Sequence, residues 1–391
     1  MKNNRTFLEK LLDGAEVEWK PLIKVASLTR GRVISKEYLA DNLGDYPVYS
    51  SQTVNNGEIG KINSFDFDGE FVSWTTDGAN AGTVFYRSGK FSITNVCGLI
   101  KIQNNLELNY KFLFYWLSIE AKNHVYSGMG NPKLMSHQME KILIPIPPLS
   151  VQTEIVRILD ALTALTSELT SELTLRQKQY EYYREKLLSE EELGRVGFEW
   201  KTLGDVAKIQ RGASPRPISQ YITDDPNGIP WIKIGDTSLD SKYIENTAQK
   251  ITIEGAEKSR ILKSGDFVMS NSMSYGRPYI LKISGAIHDG WASISDFGNI
   301  LNSDFLYYYL SSNTVQSYWN GKINSSSVSN LNSDIIKSLP IPIPTLNIQI
   351  EIAKTLDKFE TLINSITEGL PLAIEQSQKR YEYYRELLLS F

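Results

Sequence analysis

Apolar and polar positions obey two different rules along the chain, and each rule appears twice. Over residues 151–193, apolar side chains recur as Ile155, Leu159, Leu162, Leu169, Leu173, Tyr180, Tyr183 and Leu187. Steps of four and three alternate, with Thr166 and Arg176 as exceptions in the seam. That is the heptad pattern of a helix packed on another helix. Over 348–391 the rule returns as Ile352, Leu356, Phe359, Ile363, Ile366 and Leu370, then meets Gly369-Leu370-Pro371. Proline lacks a backbone donor, so a kink or local interruption is expected there. Ser150 and Asn347 stand where N-caps are expected, with Glu154 and Glu351 in the electropositive first turns. Each stretch predicts a helix of about 40 residues, roughly 60 Å at 1.5 Å per residue. Antiparallel pairing of the two would hold the bodies that precede them at opposite ends. A domain-core helix in each half is the alternative.

The other rule governs residues 14–150 and 194–347. Short β-rich runs such as Glu70-Phe71-Val72-Ser73-Trp74 and Asp266-Phe267-Val268-Met269 are punctuated by Gly, Asn and Asp. Aromatic helices are expected at Phe112–Leu117 and Phe305–Leu310, with their stripes in the core. The expected organisation is therefore α+β. Two globular bodies (1–150 and 194–347) alternate with two long helical segments (151–193 and 348–391).

The chain is written twice. YEYYREKLLS at 180–189 returns as YEYYRELLLS at 381–390. Ile144-Pro145-Ile146-Pro147, followed by Gln152, Glu154, Ile155 and Asp160, returns as Ile341-Pro342-Ile343-Pro344 with Gln349, Glu351, Ile352 and Asp357. Asn109 and FLFYWLS at 112–118 mirror Asn302 and FLYYYLS at 305–311. Glu18-Trp19-Lys20 with Val25, Ala26, Arg30 and Gly31 mirrors Glu199-Trp200-Lys201 with Val206, Ala207, Arg211 and Gly212. Between these landmarks the halves diverge. Similar bodies with dissimilar filling suit contact with two different things, although drift after an old duplication also produces divergence.

Composition adds limits. A chain of 391 residues with 41% hydrophobic and 22% charged residues is an ordinary globular protein. Its single cysteine, Cys97, forms no internal disulfide, which suits a reducing cytoplasm. The start shows no secretory pattern, and no stretch approaches a membrane span. The net charge of −4 is concentrated in 151–193, with 5 basic and 9 acidic residues, and in 348–391, with 5 and 7. The bodies are close to neutral, so charge alone does not point to nucleic acid.

Catalytic signatures are missing from the sequence. It has no Asn/Asp-Pro-Pro-aromatic loop of an amino methyltransferase and no phosphate-cradling GxxxxGK[S/T]. Gly128-Met129-Gly130 lacks the spacing of a dinucleotide fingerprint. Glu18-Trp19-Lys20 and Glu199-Trp200-Lys201 echo half of a nuclease motif, but their recurrence at each unit's start favours a structural role. His124, His137 and His288 have no metal-ligand spacing. Asn324-Ser325-Ser326 matches a glycosylation acceptor by accident in a cytoplasmic chain.

Polar loop-like stretches hold the candidate contact residues. In the first body these are Arg30, Arg32, Lys36, Ser50, Gln52, Asn55, Asn56, Thr75, Thr76, Asn80 and Lys133. In the second they are Arg211, Arg216, Lys233, Asn271, Ser274, Tyr275, Arg277, Lys322, Asn324 and Ser325. Arginine and lysine bond guanine edges or phosphates, and asparagine and glutamine pair with adenine. Each of these residues is equally compatible with a plain solvated surface.

The full ordered set resembles the specificity subunit of a type I restriction-modification enzyme. The residues that carry it are Leu143 to Leu149 with Gln152 and Ile155, and Leu339 to Leu346 with Gln349 and Ile352. Leu262-Lys263-Ser264-Gly265-Asp266-Phe267-Val268 resembles a run in that family's target recognition domains, and Asp68-Gly69-Glu70-Phe71-Val72 is a weaker echo. The resemblance implies a non-catalytic subunit with two target recognition domains, a pseudo-twofold repeat and two antiparallel coiled-coil helices. Each domain would read half of a bipartite asymmetric site in double-stranded DNA, while the helices fix the spacer. Two modification subunits carrying S-adenosylmethionine would dock on the scaffold, and restriction subunits would add ATP-driven translocation. The chain itself would hold no cofactor. Tyr180, Tyr182, Tyr183, Arg184, Tyr381, Tyr383, Tyr384 and Arg385 become docking candidates, their other role being to seal the helix pair. A protein-interaction scaffold with two binding heads is the competing reading. Because the basic excess is missing, the isolated chain is expected to bind DNA weakly; nanomolar, salt-resistant binding in a titration would contradict this.

Overall fold

The computed structural model describes residues 6–128, 130–238, 241–271, 276–324, 330–365 and 367–391. It divides into two compact units. The first comprises Met1–Glu168 with Glu375–Phe391, and the second Leu169–Ile374.

In the first unit the strands are β1 (Glu18–Pro21), β2 (Ala26–Arg30), β3 (Leu43–Tyr49), β4 (Glu58–Ile62), β5 (Phe67–Thr75), β6 (Val84–Ile93), β7 (Cys97–Ile102) and β8 (Leu143–Ile146). Six of them form a sheet of order β2-β7-β5-β6-β3-β4. Strand alternation sorts its side chains onto two faces. Val72, Trp74 and Ile100 join the main core, under Phe112, Leu113, Tyr115 and Leu117 of helix α1 (Tyr110–Glu120). Phe71, Phe91, Ile93, Cys97 and Leu99 form a second, smaller core.

The second unit is filled differently. Its strands are β9 (Glu199–Thr202), β10 (Lys208–Arg211), β11 (Ile222–Thr223), β12 (Ile229–Ile232), β13 (Tyr243–Ile244), β14 (Lys250–Ile251), β15 (Arg260–Leu262), β16 (Phe267–Ser270), β17 (Pro278–Leu281), β18 (Gly285–Ile287), β19 (Trp291–Ser295) and β20 (Pro340–Ile343). Two five-stranded sheets result, β10-β19-β16-β17-β13 and β11-β14-β12-β18-β15. The matching aromatic helix, α3 (Ser303–Leu310), buries Phe305, Leu306, Tyr308, Tyr309 and Leu310.

The repeated landmarks form one frame, built twice. β1 pairs with β8 as Glu18↔Ile146, Trp19↔Pro145 and Lys20↔Ile144, and β9 pairs with β20 as Glu199↔Ile343, Trp200↔Pro342 and Lys201↔Ile341. The Glu-x-Lys runs are therefore one strand of a two-stranded ribbon, with Ile-Pro-Ile-Pro as the other. Beside each ribbon lies a fully buried glutamine. The Gln152 amide accepts from the Asn109 N–H at 2.9 Å and donates to the carbonyls of Glu107 and Pro147. Gln349 does the same with Asn302, Ile300 and Pro344. Asn109 and Asn302 in turn cap the aromatic helices.

The first long helix, α2 (Leu149–Leu187), is continuous for 39 residues. Its N-terminal part serves the first unit and its remainder the second. The second long segment is not one helix of about 40 residues but two of 19, α4 (Leu346–Asn364) and α5 (Leu370–Leu388). Pro371 lies in the first turn of α5, where a missing N–H breaks no helical bond. A side chain at Gly369 would begin 2.7 Å from the Thr361 carbonyl, so the interruption needs glycine. Ile366 lies outside the described residues. Ser150 and Asn347 are not the caps: the helices start one residue earlier, at Leu149 and Leu346, and Thr345 precedes the second without a side-chain bond.

Within each unit the helices pair antiparallel. In the first, Thr166 meets Ser377 at 2.8 Å, while Ile155 and Leu159 share a core with Leu388 and Leu389. In the second, Tyr183 stacks on Phe359 with ring centres 5.6 Å apart, and Leu188 joins the core of Ile352 and Leu356.

A carboxylate on each long segment anchors the aromatic helix. Asp160 accepts from the Tyr115 hydroxyl at 2.7 Å and pairs with Lys111 at 2.5 Å. Asp357 accepts from the Tyr308 hydroxyl, but the position matching Lys111 is Asp304. Lys242, only 6% exposed, fills the gap at 2.7 Å from Asp304 and 2.9 Å from Asp357. Glu360 lies in the same cluster, and burial raises its carboxyl above the ordinary range, with the nearby Asp357 and Asp304 adding to that effect. Lys242→Met should destabilise the second unit by about 3–5 kcal/mol at pH 8, as expected for a buried ion left unpaired. Because the folded state then holds protons that the unfolded chain releases, the deficit should shrink as the pH falls from 8 to 5. Denaturant unfolding of both proteins across that range checks the sign.

Candidate nucleic-acid interface

In the first unit the β3–β4 and β5–β6 connections leave opposite ends of β6 yet meet where Asn80 bonds Ser51, and several candidates gather there. Most of their polar groups are already engaged. Ser50 accepts from the Thr94 hydroxyl at 2.9 Å, the Gln52 amide donates to the Glu58 carbonyl, and Asn80 donates to the Ser51 carbonyl at 2.9 Å. Thr75 donates its hydroxyl to the Asn80 carbonyl. Thr76 is fully buried and its hydroxyl has no partner among the described residues. Arg32 pairs with Asp66 at 2.9 Å and lies over the Tyr38 ring. Lys36, at the start of the short helix Lys36–Asp41, Lys133, and the turn residues Asn55 and Asn56 are exposed.

Arg30 and Arg211 occupy matching places with a common task. Arg30 donates to the Asn95 carbonyl at 2.6 Å, and Arg211 to the Asp289 carbonyl at 3.0 Å. The glycine after each allows this approach: a Cβ on Gly31 would sit 2.3 Å from the Ile93 and Thr94 carbonyls, and one on Gly212 2.0 Å from that of His288. The duplicated Arg-Gly pair thus closes a turn in both units.

In the second unit Asp289 gathers several candidates. Its carbonyl accepts from Arg211 and Asn271, and its carboxylate accepts from Ser214 at 2.8 Å. The carboxylate lies 3.5 Å from Arg216 and 3.1 Å from His288. Burial alone would raise this carboxyl, but the Ser214 hydroxyl and the charges of His288 and Arg211 hold it below the usual range. Arg211 and Asn271 also line a cleft of about 390 Å³ closed by Asn330–Asp334. Lys233 lies apart from this group, bonded to Gln249 at 2.7 Å, while Arg277 covers Tyr279 and Lys322 covers Tyr318. Ser274, Tyr275 and Ser325 lie outside the described residues, as does the side chain of Asn324.

Two residues escaped the sequence reading. Arg87 is 3% exposed and sits at the inward positions of β6 with Phe91 and Ile93. Its legible signal was a cation at an apolar phase of a strand. Asp289, in His288-Asp289-Gly290, looked like any turn aspartate.

The docking candidates divide. Tyr180, Tyr381 and Tyr384 pack on the unit cores, with Arg184 over Tyr180 and Arg385 over Tyr381. Tyr182 and Tyr383 are 60% and 62% exposed, and Tyr183 is 40% exposed beside Phe359. The first group seals; the second remains available at the surface. Of the histidines, His124 bonds Glu120 at 2.8 Å and His288 accepts from the Gly290 N–H. Among the described residues no group of acidic, histidine or cysteine side chains is placed to hold a metal.

A duplicated frame carrying two differently filled heads, each with its polar residues gathered on loops, defines a two-headed recognition protein. Residues 16–176 and 195–376 match the family described as the type I restriction modification DNA specificity domain. A putative type I restriction enzyme specificity subunit of Haemophilus influenzae is 41% identical, with 100% of both chains covered. The EcoR124I/EcoR124II specificity subunit of Escherichia coli is 34% identical over 99% of this chain and 97% of its own. The HsdS subunit of Thermoanaerobacter tengcongensis shares the fold, with a TM-score of 0.53 at 18% identity over 96% and 95% of the two chains. The chain belongs to the type I restriction-modification specificity subunits, the non-catalytic DNA-recognition members of those systems.

Asp289→Asn should free Arg216 while leaving the bonds to the Asp289 carbonyl intact. Binding to unrelated DNA should strengthen a few-fold, with a steeper salt dependence, because one neutralising charge is lost. Titrations of the assembled complex at 50–200 mM salt read this directly.

Proposed function

We propose that each head reads one half of a bipartite, asymmetric sequence in double-stranded DNA, and that the helices set the unread spacer between the halves. The observation that carries this reading is a frame of matching register around unlike interiors: β1–β8 and β9–β20 pair in the same register position by position, yet one head holds a six-stranded sheet and the other two five-stranded sheets. Repeating a frame while replacing its contents suits two readers of different half-sites. Base contacts come from the loop candidates named above, in particular those whose polar groups are not engaged by their own backbone.

In this reading the chain works with other restriction-modification subunits. A solved structure described as showing complex assembly and conformational transition of a type I system shares its fold, with a TM-score of 0.58 at 17% identity. Two modification subunits dock on the repeated surfaces that include Tyr182 and Tyr383, bind S-adenosylmethionine and methylate adenine. Restriction subunits add ATP-dependent translocation and cleavage. The specificity chain binds neither cofactor. No helix among the described residues is long and apolar enough to cross a membrane, and a single buried thiol, Cys97, suits the cytoplasm where such a complex meets DNA.

Co-expression with modification subunits, followed by mapping of methylated adenines, should yield one bipartite motif. Replacing residues 14–150 by the matching body of a relative should then change one half-site only. A change in both halves, or no motif at all, would defeat the reading.

A further inference from the structure

The tip of the first head between β3 and β4 is built in an uncommon way. Asn55 (φ 50°, ψ 39°), Asn56 (φ 54°, ψ 29°) and Gly57 (φ 82°) are three successive left-handed residues. Asparagine and glycine tolerate that backbone; most residues do not. Such a turn persists only where its surroundings impose it. Here they do. The Ser50 N–H donates to the Gly57 carbonyl at 2.9 Å, and Ser50, Ser51 and Glu58 are bound by Thr94, Asn80 and Gln52.

Arg87 grips the turn from below. Its guanidinium donates to the Asn56 carbonyl at 2.8 Å and to the Ser73 hydroxyl at 3.1 Å, and it lies 3.6 Å from the centre of the Tyr49 ring. No carboxylate pairs with it among the described residues, although burial pushes its pKa down to about 10. An almost wholly buried cation without a counter-ion is costly. What it achieves is a fixed turn with a positive charge beneath it. Above that charge the turn presents only uncommitted groups. Val54 is 69% exposed, and the side-chain amides of Asn55 and Asn56 reach solvent with no partner among the described residues.

We propose that this turn is the adenine-reading element of the first head. Asn55 and Asn56 offer amides to the adenine N6/N7 edge in the major groove, and Val54 offers methyls to a thymine methyl. Arg87 is a positioning residue that holds the turn. The neighbouring Ser50, Gln52, Thr75 and Asn80 are presenters of the turn, not readers. This inference rests on the reading of the first body as a DNA-recognition head.

The test uses the full chain assembled with its modification subunits, with the first head's half-site assigned by the body exchange above. Methylation mapping and competition binding on substrates changed one base pair at a time are compared for wild type, Asn55→Ala, Asn56→Ala, Arg87→Lys and Arg87→Met. The half-site of the first head should contain an A·T pair whose preference falls about 5- to 150-fold in an asparagine variant, the size of one amide–adenine contact. Arg87→Lys and Arg87→Met should relax the same pair, lysine less than methionine, with the other half-site unchanged. A merely structural Arg87 would instead lower the melting temperature and weaken binding without shifting base preference. Should the Arg87 variants fail to fold, the exposed asparagine variants decide. If wild type yields a bipartite motif and both asparagine variants keep it intact, the turn is not the reader and two-headed recognition still stands. If wild type yields no motif, both ideas fall.

Discussion

Each head lacks part of its own core, and a helical tail completes it: the far C-terminal segment in the first unit, the preceding helix in the second. The first core begins with Leu8 and Leu22 and is closed by Leu388 and Leu389, with Tyr381, Tyr384 and Phe391 packed against it. The second is closed by Leu188, with Tyr180 and Leu187 beside it. The two nearly identical tails therefore fill equivalent sockets. Burying a leucine or tyrosine stabilises a fold by about 1.5–3 kcal/mol, so several such residues per tail make the first unit dependent on a segment distant in sequence and the second on the helix that leads directly into it. This dependence accounts for the retention of nine identical positions in ten while the heads drifted apart.

The frame also explains how the heads can differ without disturbing the scaffold. Gln152 and Gln349 each satisfy one backbone donor and two carbonyls in a dry environment, where an unmet polar group costs about 1–3 kcal/mol. They join the ribbon, the aromatic helix and the long helix at one point. Whatever lies between β2 and β7, or between β10 and β19, is free of those constraints. The anchor at Asp160 and Asp357 shows the same economy. One unit supplies the cation from the aromatic helix, as Lys111, and the other from a loop of its variable interior, as Lys242. The carboxylate is fixed; the origin of its partner is not.

Much of the frame could be read from the sequence because its signals are local. Heptad spacing, the aromatic stripes and the repeat itself led to the helices and the buried α1 and α3, while the Glu-x-Lys and Ile-Pro-Ile-Pro runs were legible as recurring landmarks and not as paired strands. The interruption at Gly369-Leu370-Pro371 was also foreseeable, although its outcome as two separate helices depends on a close approach of Gly369 to the Thr361 and Leu362 carbonyls. The caps expected at Ser150 and Asn347 lie two residues past Pro148 and Thr345, the residues that precede the helices, and Thr345 makes no side-chain cap bond. The interiors were not legible. Sheet order follows from which strands meet across long stretches of chain, and nothing local distinguishes one six-stranded sheet from two five-stranded ones. Candidate residues were chosen by type, and type cannot show that Arg30 and Arg211 close turns or that Asn80 holds a neighbouring loop.

Charge pairing bears on how such a chain meets DNA. Arg32 is neutralised by Asp66, Arg216 by Asp289, and Lys242 by two aspartates, while the helical segments carry the acidic excess. Phosphate attraction requires cations that are free to release counter-ions, and here several are bound to the protein's own carboxylates. Sequence discrimination needs something different: a few rigid, uncommitted hydrogen-bonding groups at an exposed tip. Arg87 belongs to that second requirement, since its charge is buried and its geometry holds a turn. In the proposed reading such a chain supplies selectivity, and with these cations already paired the bulk of the attraction to the phosphate backbone is assigned to the subunits assembled around it.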